Sequence, residues 1–411
     1  MYTAEYNGRL VDARMSAFKM EGPSAAASVR LTIALCFVAA MFEGLDIQSM
    51  GVAAPKLAPA FHLGPGQLGV ALSASTFGLM LGAGAGGWFS DRVGRKPVLI
   101  VSMICLGVFS LVTTIAGTIG KLLLIRACAG IGLGGAFPTL IALVSELTSS
   151  RSRVTALACM YCGLPVGGIV AGLVAAVAPD WRYIFYVGGF GPLIFVPVLA
   201  RYLSNPTLVH RSESAARGQI SWIFGSRTRT TLLLWTAYFF TLLVVYLLLN
   251  WLPSLVLGRG YSHARAAASS VVLNMGAVVG SLFLGYVSDR GRSAAVLNVT
   301  YVGMIAALLL LALPFRGAFL PGAFAAGFFV IGGQLVLYAI APTLYPTSAR
   351  GTGVGAAVAV GRIGAIVGPL IGGSLLATGF GPGVVPAAAI PGLIIALSCL
   401  LLLPRLDSSA A

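Results

Sequence analysis

The sequence predicts an all-α integral membrane protein: twelve transmembrane helices in two pseudo-repeated bundles of six. Three observations lead there. Of 411 residues, 58% are apolar and only 9% are charged, where a soluble domain carries about 25% charged residues. Apolar runs of about 20 residues, the length that crosses hydrocarbon as a helix, recur along the whole chain. The second half of the chain also repeats landmarks of the first at an offset of about 200 residues. Backbone groups left unpaired cannot face lipid, so the apolar runs must be helical.

The elements follow in order. Residues 1–28 mix charges and lack an apolar core, so they are expected to form a cytoplasmic tail and not a secretory signal. The first bundle occupies 29–203, with spans near 30–54, 66–89, 97–116, 120–146, 153–177 and 182–203. The polar stretch 204–228 is expected to be a cytoplasmic linker. The second bundle occupies 229–404, with spans near 229–254, 264–287, 294–314, 318–341, 352–377 and 383–404, and 405–411 is a short tail. Gly87-Trp-Phe-Ser-Asp91-Arg92-Val-Gly94-Arg95-Lys96 closes the second span, and Gly285-Tyr-Val-Ser-Asp289-Arg290-Gly-Arg292 closes the eighth. Pro138-Thr-Leu in the fourth span returns as Pro342-Thr-Leu in the tenth, and Gly167-Gly168 in the fifth as Gly372-Gly373 in the eleventh. Parallel repeats of this kind place a substrate site between the halves, near the bilayer midplane. Gly163-x-x-x-Gly167 and Gly364-x-x-x-Gly368 allow close helix approach, and Pro165 and Pro369 can kink their helices.

Charge sets the orientation. With the N-terminus inside, eighteen of the 26 Lys and Arg residues fall in cytoplasmic segments, six fall outside, and Arg126 and Arg362 remain within spans. That bias expects both termini in the cytoplasm. The net charge of +15 is scattered over short loops, which argues against nucleic acid. All six cysteines lie in apolar runs, so a disulfide framework is not expected, and Cys159-x-x-Cys162 has no second ligand pair for a metal. The three histidines (His62, His210, His263) sit in loops, and neither a Ser-His-Asp set nor a metal set is visible. The chain is therefore read as a non-enzyme without cofactor or metal. No Gly-x-x-x-x-Gly-Lys-Ser/Thr loop is present, so ATP is not the direct energy source.

The Gly-x-x-x-Asp-Arg-x-Gly-Arg-Lys loop, its degenerate copy, and Arg126-x-x-x-Gly130-x-Gly132 resemble the major facilitator superfamily of secondary transporters, over about residues 29–405. Glu43-Gly44-Leu45-Asp46-Ile47-Gln48 and Gly51-Val-Ala-Ala-Pro55 are similar to the aromatic acid:proton symporter branch, which usually has Asp-Gly-Phe-Asp here. The continuation from Gln48 is most similar to hydroxyphenylpropionate-type transporters. The resemblance implies alternating access in a bacterial inner membrane, import of a small aromatic carboxylate with protons, and function as a monomer. The alternative within the same fold is a proton-driven drug or metabolite exporter, although helix 5 matches the Gly-Pro-rich antiporter pattern only in part. A non-transporting membrane sensor or enzyme is the remote third reading.

A charge at mid-bilayer costs at least about 2.5–3.5 kcal/mol, so each one needs a reason. Glu43 and Asp46, three residues apart, share a helical face, and two carboxylates there repel unless one takes a proton. They are the expected proton-coupling pair. Arg126 and Arg362 are candidate partners for the substrate carboxylate, each able to grip it with two parallel bonds. Arg126 could instead hold Asp46 ionised. Tyr161, Asn250, Gln334 and Tyr338 are further substrate-binding candidates, with Tyr238 and Asn274 as cavity-lining groups and Phe42, Phe137 or Tyr338 as stacking partners. Asp91, Arg92, Arg95 and Glu146, with Asp289, Arg290 and Arg292, are expected to gate the conformational change, the first cluster locking the cytoplasmic side when it closes.

Overall fold

The computed structural model describes residues 23–148, 153–203, 228–288, 290, 293–345 and 350–403. The expected tails and linker fall mostly outside them. Among the described residues, twelve helical segments are long and apolar enough to span a membrane. They are α1 (Ser28–Ala60), α2 (Pro65–Gly86), α3 (Arg95–Thr113), α4 (Ile119–Leu147), α5 (Ala156–Val177), α6 (Arg182–Tyr202), α7 (Thr228–Gly258), α8 (His263–Val287), α9 (Ala295–Ala312), α10 (Phe319–Tyr338), α11 (Gly353–Ala377) and α12 (Val384–Leu401). The spans alternate between two faces, and the α2–α3, α4–α5, α8–α9 and α10–α11 connections all share the face at which α1 begins.

Prolines account for the irregularities. A proline lacks the N–H for the helical bond and its ring crowds the carbonyl four residues back. Pro138 lies four residues after Gly134, where the first helix of α4 (Ile119–Gly134) ends and a second (Ala136–Leu147) begins. Pro165 likewise lies four residues after Tyr161, the last residue of the helix Arg153–Tyr161, before Gly163–Val177 resumes. By contrast the helix Arg350–Ala377 runs unbroken through Pro369, whose carbonyl oxygen accepts the Trp251 indole N–H at 2.9 Å. The first helix also continues past Pro55 to Ala60, farther than the apolar run predicts. In α10, a π-helical turn (Gly327–Ile331) separates two α-helical pieces.

Packing reproduces the sequence repeat. In the first half α1 pairs with α5, α2 with α4 and α3 with α6; in the second half α7 pairs with α11, α8 with α10 and α9 with α12. Shifting each pair by six spans converts one set into the other. The matching glycines do equivalent work. A Cβ at Gly167 would overlap the Met41 carbonyl oxygen of α1, and one at Gly368 the Leu243 carbonyl oxygen of α7. Bare backbone is therefore what lets each pair close to contact. Outward surfaces are apolar, as at Val177 (85% exposed) and Ile194 (72%), which suits lipid and not water.

The halves meet through α2 with α11, α5 with α8 and α1 with α7. Ser73 Oγ donates to the Ile366 carbonyl at 2.9 Å. Five glycines, Gly51, Gly66, Gly69, Gly172 and Gly373, have their nearest neighbours in the other half. All lie in the parts of their spans toward the face opposite the one where α1 begins, so the halves are sealed on that side.

Candidate functional site

Two fully buried charges form a pair inside the first half. Asp46 is 1% exposed and Arg126 is 0% exposed. Arg126 Nη1 donates to Asp46 Oδ1 at 2.9 Å and Nη2 to Oδ2 at 2.8 Å, the parallel two-bond geometry of a guanidinium on a carboxylate. Ser110 Oγ donates to Asp46 Oδ1 at 3.1 Å, and Arg126 Nη2 also reaches Ser75 Oγ at 3.1 Å. The guanidinium lies 5.4 Å from the centre of the Phe185 ring. Five spans, α1, α2, α3, α4 and α6, thus converge on one ion pair.

A separate cleft, partly continuous with solvent, lies between the halves. Glu43, Gln48, Phe137 and Tyr161 line it from the first half, and Tyr246, Asn274, Gln334, Tyr338 and Arg362 from the second. The two proline breaks bring the aromatic rings here: Tyr161 ends one helix and Phe137 opens another. Their rings meet edge-on at 6.0 Å, and Tyr161 meets Tyr338 across the halves at 6.5 Å. Arg362 Nη1 donates to Tyr246 Oη at 2.6 Å, and Gln334 Nε2 to Tyr338 Oη at 2.8 Å. Glu43 is 1% exposed, and among the described residues its Oε2 has no hydrogen-bond partner. The cleft therefore holds one cation, one incompletely bonded carboxylate and a cage of rings.

The structure separates residues that the sequence grouped. Glu43 faces the cleft, whereas Asp46 faces Arg126, and neither Asp46 nor Arg126 lines the cleft. Of the two candidate carboxylate partners, Arg362 alone opens onto it. Asn250 also lies outside it: its Nδ2 donates to the Tyr246 carbonyl at 2.8 Å, and Gly51 of α1 packs against its backbone. Tyr238 donates to the Leu337 carbonyl at 3.4 Å, and Phe42 packs on Phe195 at 5.8 Å; neither lines the cleft. Tyr246 was not a candidate from sequence, because one tyrosine in an apolar run carries no signal until its neighbours are known. Gln48 stood only within a motif.

At the face where α1 begins, Arg95 Nη2 pairs with Glu146 Oε1 at 3.0 Å and Arg95 Nη1 donates to Ser90 Oγ at 3.0 Å. This pair joins two elements of the same half and is present while the halves are sealed on the opposite side. Arg92 is exposed beside it. In the companion loop, Arg290 lies 4.3 Å over the Tyr286 ring and donates to its hydroxyl. The side chain of Asp91, and Asp289 and Arg292 entirely, lie outside the described residues.

The sequence pattern of the Major Facilitator Superfamily matches residues 36–315 and 270–410. The chain belongs to this superfamily. It is 46% identical over 390 residues to the 3-(3-hydroxy-phenyl)propionate transporter of Escherichia coli (strain K12), covering 93% of this chain and 96% of that protein. It is 33% identical over 387 residues to the gallate transporter of Pseudomonas putida, covering 85% and 86%. Among solved structures, a D-xylose-proton symporter superposes with a TM-score of 0.75 at 16% identity, covering 91% of this chain and 97% of that one, a likeness of fold. This member of the superfamily is thus a multi-pass membrane transporter and not an enzyme, and its cleft lies at the interface of its two six-span halves.

Proposed function

We propose that the chain imports a small aromatic carboxylate together with protons, by alternating access across a bacterial inner membrane, as a monomer with both termini in the cytoplasm. The observation that carries this reading is the cleft: a lone guanidinium, Arg362, among Phe137, Tyr161, Tyr246 and Tyr338. An anion leaving water needs a fixed positive partner, and an aromatic ring gains from edge-on and offset contacts with other rings. The related proteins carry acids of this kind. In this scheme the sealed side is external and the cleft serves the cytoplasm. Asp46 with Arg126 forms the buried coupling element, and Glu43 is the carboxylate exposed to substrate. Arg95, Glu146 and Arg92 with Asp91, and the loop holding Asp289, Arg290 and Arg292, act on the rate of the transition.

The test is uptake into proteoliposomes of 3-(3-hydroxyphenyl)propionate with and without an imposed inward proton gradient, alongside binding of the acid and its neutral amide. Accumulation should require the gradient. Arg362→Ala should weaken acid binding by roughly 2–5 kcal/mol, as when one partner of a buried charge pair is truncated, and should leave amide binding little changed. Arg362→Lys, which keeps the charge and loses the fork, should fall between. If Arg362→Ala keeps the wild-type preference for acid over amide, the carboxylate is held elsewhere.

A further inference from the structure

Beyond the charged end of the cleft, the halves are joined by two side-chain amides. Gln48 Nε2 donates to Asn274 Oδ1 at 3.1 Å, and Asn274 Nδ2 donates back to Gln48 Oε1 at 2.7 Å. The second N–H of Asn274 goes to the Ser270 carbonyl at 2.8 Å. Gln48 is 3% exposed and Asn274 is 0% exposed, yet both line the cleft. A primary amide has two N–H donors and a carbonyl oxygen with two lone pairs. After these bonds, among the described residues, one Gln48 N–H and one lone pair on each carbonyl remain uncommitted at the cleft wall. Gly168 supports the arrangement, because a Cβ there would overlap the Gln48 amide.

We propose that this cross-half amide pair reads a ring hydroxyl of the aromatic acid while Arg362 holds its carboxylate. The inference rests on the reading of the cleft as an aromatic-acid site. A phenolic hydroxyl both donates and accepts, and the pair offers it one N–H and two acceptor positions. Being neutral, the pair is a weaker partner for the carboxylate than the guanidinium of Arg362, whose bonds to it are charge-assisted, and this difference fixes which end of the substrate goes where. Spacing agrees. Gln48 is five residues beyond Glu43 on α1, about 7.5 Å of helix rise at 1.5 Å per residue, and Glu43 lines the cleft together with Arg362. One ring with a short acid chain, built from bonds of about 1.4–1.5 Å, spans roughly 6–8 Å between carboxylate and hydroxyl. Other polar groups of the cleft are bonded to one another: Tyr246 accepts from Arg362, and Gln334 donates to Tyr338.

The experiment measures equilibrium binding of 3-(3-hydroxyphenyl)propionate and of 3-phenylpropionate to the full chain in lipid nanodiscs. Wild type should bind the hydroxylated acid about tenfold more tightly, the scale of one or two well-made neutral hydrogen bonds. Asn274→Leu should bring the two affinities within about twofold of each other, chiefly by weakening the hydroxylated acid. Retained binding of 3-phenylpropionate reports that the variant is folded, and Gln48→Met carries the same comparison should Asn274→Leu not fold. Gly168→Ala, which keeps both amides and displaces Gln48, should reduce the preference as well. An unchanged preference in Asn274→Leu and Gln48→Met overturns the proposal. So does an equal loss for both acids, which would make the pair only a joint between the halves. Wild type that binds both acids alike overturns this inference alone, whereas wild type that binds neither overturns the aromatic-acid reading with it.

Discussion

Replacing Asp46 by asparagine keeps the side-chain volume and removes the only charge bonded to Arg126 among the described residues. The guanidinium is 0% exposed, so water cannot take the place of the carboxylate. Its remaining partners are neutral: Ser75 Oγ at 3.1 Å, the Asp46 carbonyl at 3.4 Å and the Phe185 ring. Its Nε has no hydrogen-bond partner among the described residues. Removing one member of a buried pair costs about 3–5 kcal/mol, because the other charge is left uncompensated. Arg126→Ala should cost a similar amount, since Asp46 would keep only Ser110 on its carboxylate. Removing both charges with apolar groups of similar size, Asp46→Leu with Arg126→Met, should cost less than the two single changes together, by a coupling of at least about 2 kcal/mol. Equilibrium unfolding in mixed detergent micelles, followed by tryptophan fluorescence, measures all three. Single variants that each cost under about 1 kcal/mol, or costs that simply add, would refute the reasoning. The same proteins separate stability from coupling. The double variant should regain much of the lost stability and still fail to accumulate substrate under a proton gradient. Normal accumulation by Asp46→Asn would remove this carboxylate from the coupling scheme.

Two further outcomes follow from local packing and exposure. Gly167→Ala puts a methyl group onto the Met41 carbonyl oxygen, while Gly84 has nothing within 4 Å of its Cβ position. The first should destabilise by about 1–3 kcal/mol or more and the second should stabilise by up to about 1 kcal/mol; equal melting shifts would contradict the close α1–α5 contact. Arg95 and Glu146 are 18% and 41% exposed, so Glu146→Gln should change stability by less than about 1 kcal/mol. It should slow turnover several-fold with little change in substrate binding, and a proportional loss of binding would rule out a gating role.

The number of spans, their helical nature and the pairing of the two halves were legible in the chain itself. Each depends on a one-dimensional quantity: the length of an apolar run, the absence of backbone partners in lipid, and recurrence of the same glycines and prolines at a constant offset. The unusual residues were legible too, because charge inside an apolar span is costly wherever it lies, and Glu43, Asp46, Arg126 and Arg362 stood out on that ground. Their division of labour was not. Glu43 and Asp46 are one turn apart on α1, and only the positions of α4 and α11 decide that Asp46 meets Arg126 while Glu43 opens onto the cleft with Arg362. Tyr246 and the Gln48–Asn274 pair were invisible for the same reason: two neutral amides 226 residues apart carry no pattern along the chain, and become a feature only when α1 and α8 are brought face to face. Sequence determined what must be buried; the packing of the two halves determined which buried groups share a cavity, because contact between distant spans depends on helix rotation and tilt that no local periodicity encodes.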